Sequence, residues 1–214
     1  MNVIQQLVSP SKYPIKCPYP MEAECIVVHN TANDSNAENE VSYMIRNNLT
    51  TSFHYAIDDK QIVQGIPENR NAWHAGDGRN GRGNRKGVSV EICYSKSGGV
   101  RFNNAEKLAA KFIASKLKEK RWDISKVTKH QDYSGKICPH RTIAFGWQRF
   151  VNLVKVELDI LNGPPDYTVV AGDSLWSIAA KLLGNGSRHP EITEMNKLTT
   201  NVLSAGQILK IPPK

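Results

Sequence analysis

Residues 129–140 read Lys-His-Gln-Asp-Tyr-Ser-Gly-Lys-Ile-Cys-Pro-His, so one short polar stretch carries imidazole, ammonium and thiol groups. Zinc accepts His nitrogen and Cys thiolate in a tetrahedral shell, and a catalytic zinc keeps three protein ligands and leaves its fourth position to water. His130 and Cys138 stand eight positions apart, so the chain must fold back to bring them together, and Gly135 eases that turn. A third ligand must come from elsewhere. His29 ends the apolar run Ile26-Val27-Val28 and is one candidate; His54, His74 and His140 are competing donors that composition does not rank. The competing reading is an ordinary loop that happens to hold His and Cys.

Glu91 is the second chemical candidate. In Ser89-Val90-Glu91-Ile92-Cys93, strand alternation sends Val90 and Ile92 to one face and Ser89, Glu91 and Cys93 to the other. A carboxylate inside an apolar strand is costly unless it is paired or sits in a polar site. Beside a metal-activated water it would serve as general base. A structural ion pair is the alternative.

These residues need a scaffold, and the chain supplies the pattern of one. Cys25–His29 and Gly87–Tyr94 read as strands. Phe53–Ile57 and Gln61–Ile66 flank Asp58-Asp59-Lys60 as a hairpin. Ser35 with Glu38 has the form of a capping box, followed by the stripe Val41, Met44, Ile45 and Leu49. Leu108, Phe112, Ile113 and Leu117 mark a helix over 104–121, and Ile143, Trp147, Phe150, Val151, Val154, Leu158 and Leu161 mark another. Residues 76–87, rich in Gly, Asn and Arg, form a loop. The expectation is an α/β domain over residues 1–162, a mixed central sheet flanked by helices. Asn162-Gly163-Pro164-Pro165 then interrupts the pattern, giving a linker at 163–166. Residues 167–214 follow as a small β-α-α-β unit: a strand from Tyr167, a helix capped by Ser174, a second opened by Pro190, and a strand over 207–211.

Bulk properties bound the function. The net charge is +8, and residues 1–162 hold 23 Lys and Arg against 16 Asp and Glu, so the excess lies in the first part. A basic surface suits polyanions, either nucleic acid or an anionic wall. No nucleic-acid motif accompanies it, so nucleic acid is not an expected partner. No apolar run approaches the roughly 20 residues of a membrane span. The first 20 residues lack a charged segment followed by an apolar one, so a chain made in the cytoplasm without a signal peptide is expected. Four cysteines in such a chain are expected free or metal-bound, although Cys17 and Cys25 are near enough to pair in an oxidising space.

With these residues in view, the chain resembles the type-2 N-acetylmuramoyl-L-alanine amidases, among them the endolysins of Bacillus phages and prophages. The segments that carry the resemblance are Ile26–Ala32, Phe53–Ile57, Ala72–Gly76, Val88–Ile92 and His130–Pro139. It implies an amidase or peptidoglycan-recognition-like fold and a Zn2+ cofactor held by His29, His130 and Cys138. It further implies that Glu91 handles protons and that Lys136 faces the reacting carbonyl. Phe53, Trp73 and His74 are implied as substrate-groove residues. The basic residues Arg79, Arg82, Arg85 and Lys86 of 76–87 could rim such a groove, but an exposed, solvated loop is the simpler reading of that segment. One departure matters: many members carry Tyr where this chain has Phe53, which has no hydroxyl to donate, so the acid/base work falls to Glu91.

Residues 167–212 resemble a LysM module through Tyr167–Ile178, Glu194-Met-Asn196 and Leu203–Pro212. The resemblance implies a groove for N-acetylglucosamine-containing glycan between Gly172, Asp173, Ser174 and Leu175 on one side and Asn201, Val202 and Leu203 on the other. Trp176 is expected in the module's core. Together the two resemblances predict an enzyme that cleaves the bond between N-acetylmuramic acid and L-alanine in peptidoglycan and lyses bacteria. They predict a monomer, no insertion in a membrane, and release by a holin-type protein. Two rivals remain: a protein that binds peptidoglycan without cutting it, and a glycosidase, which needs two carboxylates flanking a sugar bond where only Glu91 stands out.

Overall fold

In the computed structural model, which describes residues 1–213, the chain forms two units, Met1–Leu158 and a second beginning at Asp159. In the first, elements follow as β1 (Ile4–Gln5), α1 (Tyr13–Lys16), β2 (Cys25–Asn30), α2 (Ala37–Arg46), β3 (Tyr55–Ile57), β4 (Ile62–Gln64), α3 (Arg82–Lys86), β5 (Gly87–Ile92), α4 (Gly99–Lys120), β6 (Val127–Lys129), α5 (Gln131–Ser134), α6 (His140–Ala144) and α7 (Trp147–Asn162). The sheet order is β1-β4-β3-β5-β2-β6. Only the β3–β4 hairpin is antiparallel. The mixed sheet flanked by helices is the fold that the sequence pattern implies.

β2 is central, between β5 and β6, and all six of its residues are buried. That is the setting of an apolar run in a parallel sheet covered on both faces. Its register places His29 directly opposite Glu91, and Cys25 opposite Gly87. Gly87 is required there: a Cβ would lie 2.5 Å from Val27 Cγ2 and 2.6 Å from the Gly83 carbonyl oxygen.

Several boundaries differ from the sequence reading. α2 is capped by Asn36, whose side chain accepts from the Asn39 N–H at 2.9 Å, rather than by Ser35 and Glu38. Asn33 explains this, since its side chain accepts from the Ser35 N–H and turns the chain one residue later. The helix closes at Arg46, which leaves Leu49 outside it and exposed. The stripe from Ile143 to Leu161 is two helices, not one; Gly146, at φ +101°, breaks it between α6 and α7. Beneath the end of α2, Lys16 is fully buried and donates to Asn47 Oδ1 (2.9 Å) and to the Thr51 carbonyl (3.1 Å). The nearby Lys12 donates to the Arg46 and Asn47 carbonyls, where a cation complements the helix dipole. All four cysteines are free and buried, Cys17 and Cys25 included.

The second unit runs β7 (Asp166–Thr168), α8 (Leu175–Leu183), a 3-10 turn at Gly186–Arg188, α9 (His189–Met195) and β8 (Ile208–Lys210), with β7 and β8 antiparallel. Ser174 and Ser177 form a reciprocal capping box at the start of α8. Asn196 ties α9 to β8: its amide donates to the Lys210 carbonyl and accepts from the Lys210 N–H. The core holds Val169, Leu175, Ile178, Ala179, Leu183, Ile192, Leu209 and Ile211. Trp176 is not in it. It is 58% exposed, and its ring lies so close to Gly186 that a Cβ there would meet it at 2.4 Å.

Glu68 is the main ionic anchor of the first unit. Burial opposes its charge, but hydrogen bonds from Lys120 (2.8 Å), Tyr55 (2.7 Å) and Lys116 (2.9 Å) outweigh that and hold its carboxyl at about 2. A carboxyl lowered by folding stabilises the fold above its unfolded value, near 4.3, and ceases to do so as pH falls through the folded value. Glu68→Gln should therefore cost on the order of 2 kcal/mol at pH 7, with the gap to wild type closing between about pH 5 and pH 2. Urea unfolding across that range measures it; a gap that stays constant to pH 2 would rule out the ionic account.

Candidate active site

The candidate ligands come from two segments that the sheet brings together. His29 leaves the C-terminal end of β2. His130 follows β6 directly, and its N–H bonds the Val28 carbonyl (3.3 Å), so the β2–β6 pairing sets the two imidazoles side by side with ring centroids 4.8 Å apart. α5 then ends at Gly135 in the left-handed region (φ +74°), where glycine carries little steric cost. The Gln131 N–H closes the loop on the Cys138 carbonyl at 3.0 Å. The far side is held by Asn30, whose side-chain oxygen accepts from the Arg141 N–H (3.0 Å) and the Thr142 N–H (3.2 Å).

The result is a buried cluster in which one donor atom each of His29, His130 and Cys138 lie within 4.8 Å of one another. Cys138 Sγ is 3.7 Å from His29 Nδ1. Zinc–ligand bonds of about 2.0–2.3 Å in a tetrahedron require donor separations of roughly 3.3–3.8 Å, so small shifts would close the set around one ion. Burial, helped by His74, His130 and Lys136, holds His29 well below the usual imidazole value, and burial with Lys136 lowers His130. Both rings are thus neutral, as ligands must be. Burial, with Glu91 adding, pushes the Cys138 thiol up to about 11. A two-nitrogen, one-sulfur donor set of this kind fits zinc.

Glu91 lies beside the cluster, with Oε1 3.9 Å from His29 Nδ1 and Oε2 buried without a hydrogen-bond partner. Burial raises its carboxyl to about 8, with Glu40 adding and Lys136 opposing. That value suits a group that takes and returns a proton near neutral pH. Both Glu91 and Lys136 line a cleft of roughly 320 Å³. The cleft is also lined from α2 and the segment after it, including Glu40, Tyr43, Asn47, Leu49, Thr51 and Phe53. Glu40, whose carboxylate accepts from Asn33 (2.7 Å), was not legible as a cleft residue; on the sequence it reads as part of a solvated helix turn.

Of the expected groove residues, Phe53 lines the cleft and Trp73 does not. Trp73 packs edge-on against Tyr19, with centroids 6.0 Å apart. His74 reaches the cleft floor, but both its ring nitrogens are engaged from within: Nδ1 is 3.0 Å from His29 Nε2, and Nε2 is 3.3 Å from the Gly87 carbonyl oxygen. It both lines the cleft and serves as a partner of His29. The basic residues of 76–87 do not line the cleft either. Arg79 and Arg85 stack on Tyr19, while Arg82 and Lys86 pair with Glu24. The loop acts through Asn84, whose side-chain oxygen accepts from the N–H groups of both His74 and Ala75 at 2.8 Å.

In the second unit, Gly172, Asp173, Ser174 and Leu175 form the turn that opens α8, with Asp173 accepting from the Tyr167 hydroxyl (2.7 Å) and the Val170 N–H (2.9 Å). Leu175 is 3% exposed, so only its backbone can meet a ligand. Asn201, Val202 and Leu203 lie between α9 and β8; Val202 is exposed, and Leu203 packs on the core.

Comparison with known proteins places these features among relatives. The Amidase_2 family, described as N-acetylmuramoyl-L-alanine amidase, matches residues 19–141, and the LysM domain family matches residues 167–212. The N-acetylmuramoyl-L-alanine amidase CwlA of Bacillus subtilis is 60% identical over 164 residues, which is 76% of this chain and 60% of that protein. The N-acetylmuramoyl-L-alanine amidase XlyB of the same species is 48% identical, over 98% of this chain and 69% of its own length. The structure of PlyL superposes with a TM-score of 0.70 at 54% identity, covering 72% of this chain and 97% of that one.

Asn84→Ala would leave two buried N–H groups without an acceptor, at a cost of on the order of 2–4 kcal/mol. Denaturant unfolding of the variant tests this; a loss below about 0.5 kcal/mol would mean that Asn84 does not hold the His74 segment.

Proposed function

From a chain that belongs to the N-acetylmuramoyl-L-alanine amidase family and carries a LysM domain, we propose a zinc-dependent enzyme that hydrolyses the amide between N-acetylmuramic acid and L-alanine in peptidoglycan. The observation that carries this reading is the convergence of His29, His130 and Cys138 beside Glu91 at the head of one cleft. Those three residues would hold the metal, which when bound supplies Lewis-acid chemistry, acidifying water and polarising a carbonyl.

The chain's own residues do the rest. Glu91 accepts the proton of the attacking water and aims its oxygen at the lactyl carbonyl carbon. Lys136, at the cleft mouth, turns its ammonium to the oxygen on which negative charge develops. As the tetrahedral carbon collapses, Glu91 returns the proton to the departing alanine nitrogen, which leaves as a neutral amine. Phe53 contributes an apolar wall and no proton. The LysM domain would hold the glycan through the turn at Gly172–Leu175 and the segment Asn201–Leu203, which raises the local concentration of substrate. The enzyme works as a monomer. Release to the wall by a holin-type partner is part of this reading; no helix among the described residues is long and apolar enough to cross a membrane.

The test is digestion of Gram-positive walls with and without a zinc chelator, scoring new N-terminal alanine beside new reducing ends. Alanine amines that vanish on chelation and return with zinc are expected. New reducing ends would instead indicate a glycosidase, and sedimentation with walls without either product would indicate a binding protein. Glu91→Ala should keep its zinc and lose about 10²–10⁴ in rate. Cys138→Ser should lose most of its zinc, and a full metal content in that variant would remove Cys138 from the ligand set.

A further inference from the structure

We infer that His74 is a positioning residue that fixes the tautomer of His29 and so turns the correct lone pair toward the metal site. The inference rests on the zinc reading above for its purpose, and on hydrogen-bond chemistry for its content. A backbone carbonyl only accepts, so the 3.3 Å contact between His74 Nε2 and the Gly87 oxygen places a proton on His74 Nε2. A neutral imidazole carrying its proton there has an acceptor at Nδ1. That atom faces His29 Nε2 at 3.0 Å, so His29 must donate from Nε2. Its Nδ1 then keeps a free lone pair, and Nδ1 is the atom 3.7 Å from Cys138 Sγ and 3.9 Å from Glu91 Oε1. With the opposite tautomer of His29, two nitrogen lone pairs would face each other at 3.0 Å and a proton would occupy the ligand position.

The relay starts from a rigid point. Gly87 opens β5 and pairs with Cys25, four residues before the His29–Glu91 pair on the same two strands. His74 itself is nearly buried and is held through its own N–H by Asn84. One strand pair therefore supplies the ligand, the candidate base and the carbonyl that sets the ligand's proton. Partners of this kind behind a metal-bound histidine contribute about 10–100-fold in metal affinity.

Two substitutions of similar shape separate this role from simple packing. His74→Leu removes the acceptor. His74→Asn keeps one, since its side-chain oxygen is attached to Cγ as Nδ1 is. In the metal-free full-length chain, ¹⁵N NMR of the imidazoles should find wild-type His29 protonated on Nε2 and a mixture of tautomers in His74→Leu. The zinc dissociation constant should rise 10–100-fold in His74→Leu and stay within a few-fold of wild type in His74→Asn. Protonation of wild-type His29 on Nδ1 would overturn the relay, even if neither variant folds. So would wild-type zinc affinity in His74→Leu, or an equal loss in both variants. Failure of the wild-type chain to bind zinc at all would defeat the zinc reading separately, because the tautomer is measured without metal.

Discussion

The parallel register between β2 and β5 is the constraint on which the site depends. It sets His29 opposite Glu91 and so brings an imidazole and a carboxyl together in a buried environment. Burial lowers the imidazole's affinity for a proton and raises the carboxyl's, so the imidazole keeps a lone pair to offer and the carboxyl is poised to take up a proton. A slip of one residue would send Glu91 to the other face of the sheet and end the arrangement. The glycine at position 87 protects this register, because the packing of Val27 and Gly83 leaves no space for a side chain there.

Around that fixed pair the rest of the cleft is assembled by short-range devices. The loop from His130 to Cys138 needs a left-handed glycine and a backbone clasp to return beside β2. Asn30 and Asn84 each satisfy two backbone N–H groups of a neighbouring segment. Buried N–H groups are costly when unpaired, so these two amides fix whole segments rather than single contacts.

Much of this was legible in the sequence. The apolar runs of β2 and β5 are long enough to declare strands, and His, Cys and Glu declare their chemistry wherever they stand. The structure brings His29, His130, Cys138 and Glu91 together, as the resemblance implied. What the sequence could not convey was which way a side chain faces and what covers it. Trp176 is apolar and aromatic, which suggests a core, yet it is largely exposed and rests against a glycine. The arginines of 76–87 suggest a substrate rim, but Tyr19 and Glu24, about 60 positions away, engage them first. His74 reads as a groove residue, but its pairing with His29, 45 positions away, is visible only in the structure. Contacts across such separations follow from topology, which local pattern does not encode.

Lys16 carries a consequence for how the cleft meets a ligand. It is buried beneath the segment that follows α2 and bonds both Asn47 and Thr51, two residues of the cleft wall. Ser52 adds a bond back to the Lys16 carbonyl and another to the Trp73 N–H. A wall tied from behind in this way has already given up its conformational freedom during folding. An incoming chain therefore meets a preformed surface, and little ordering entropy is left to be lost on association. Discrimination at such a surface comes from fit rather than from closure.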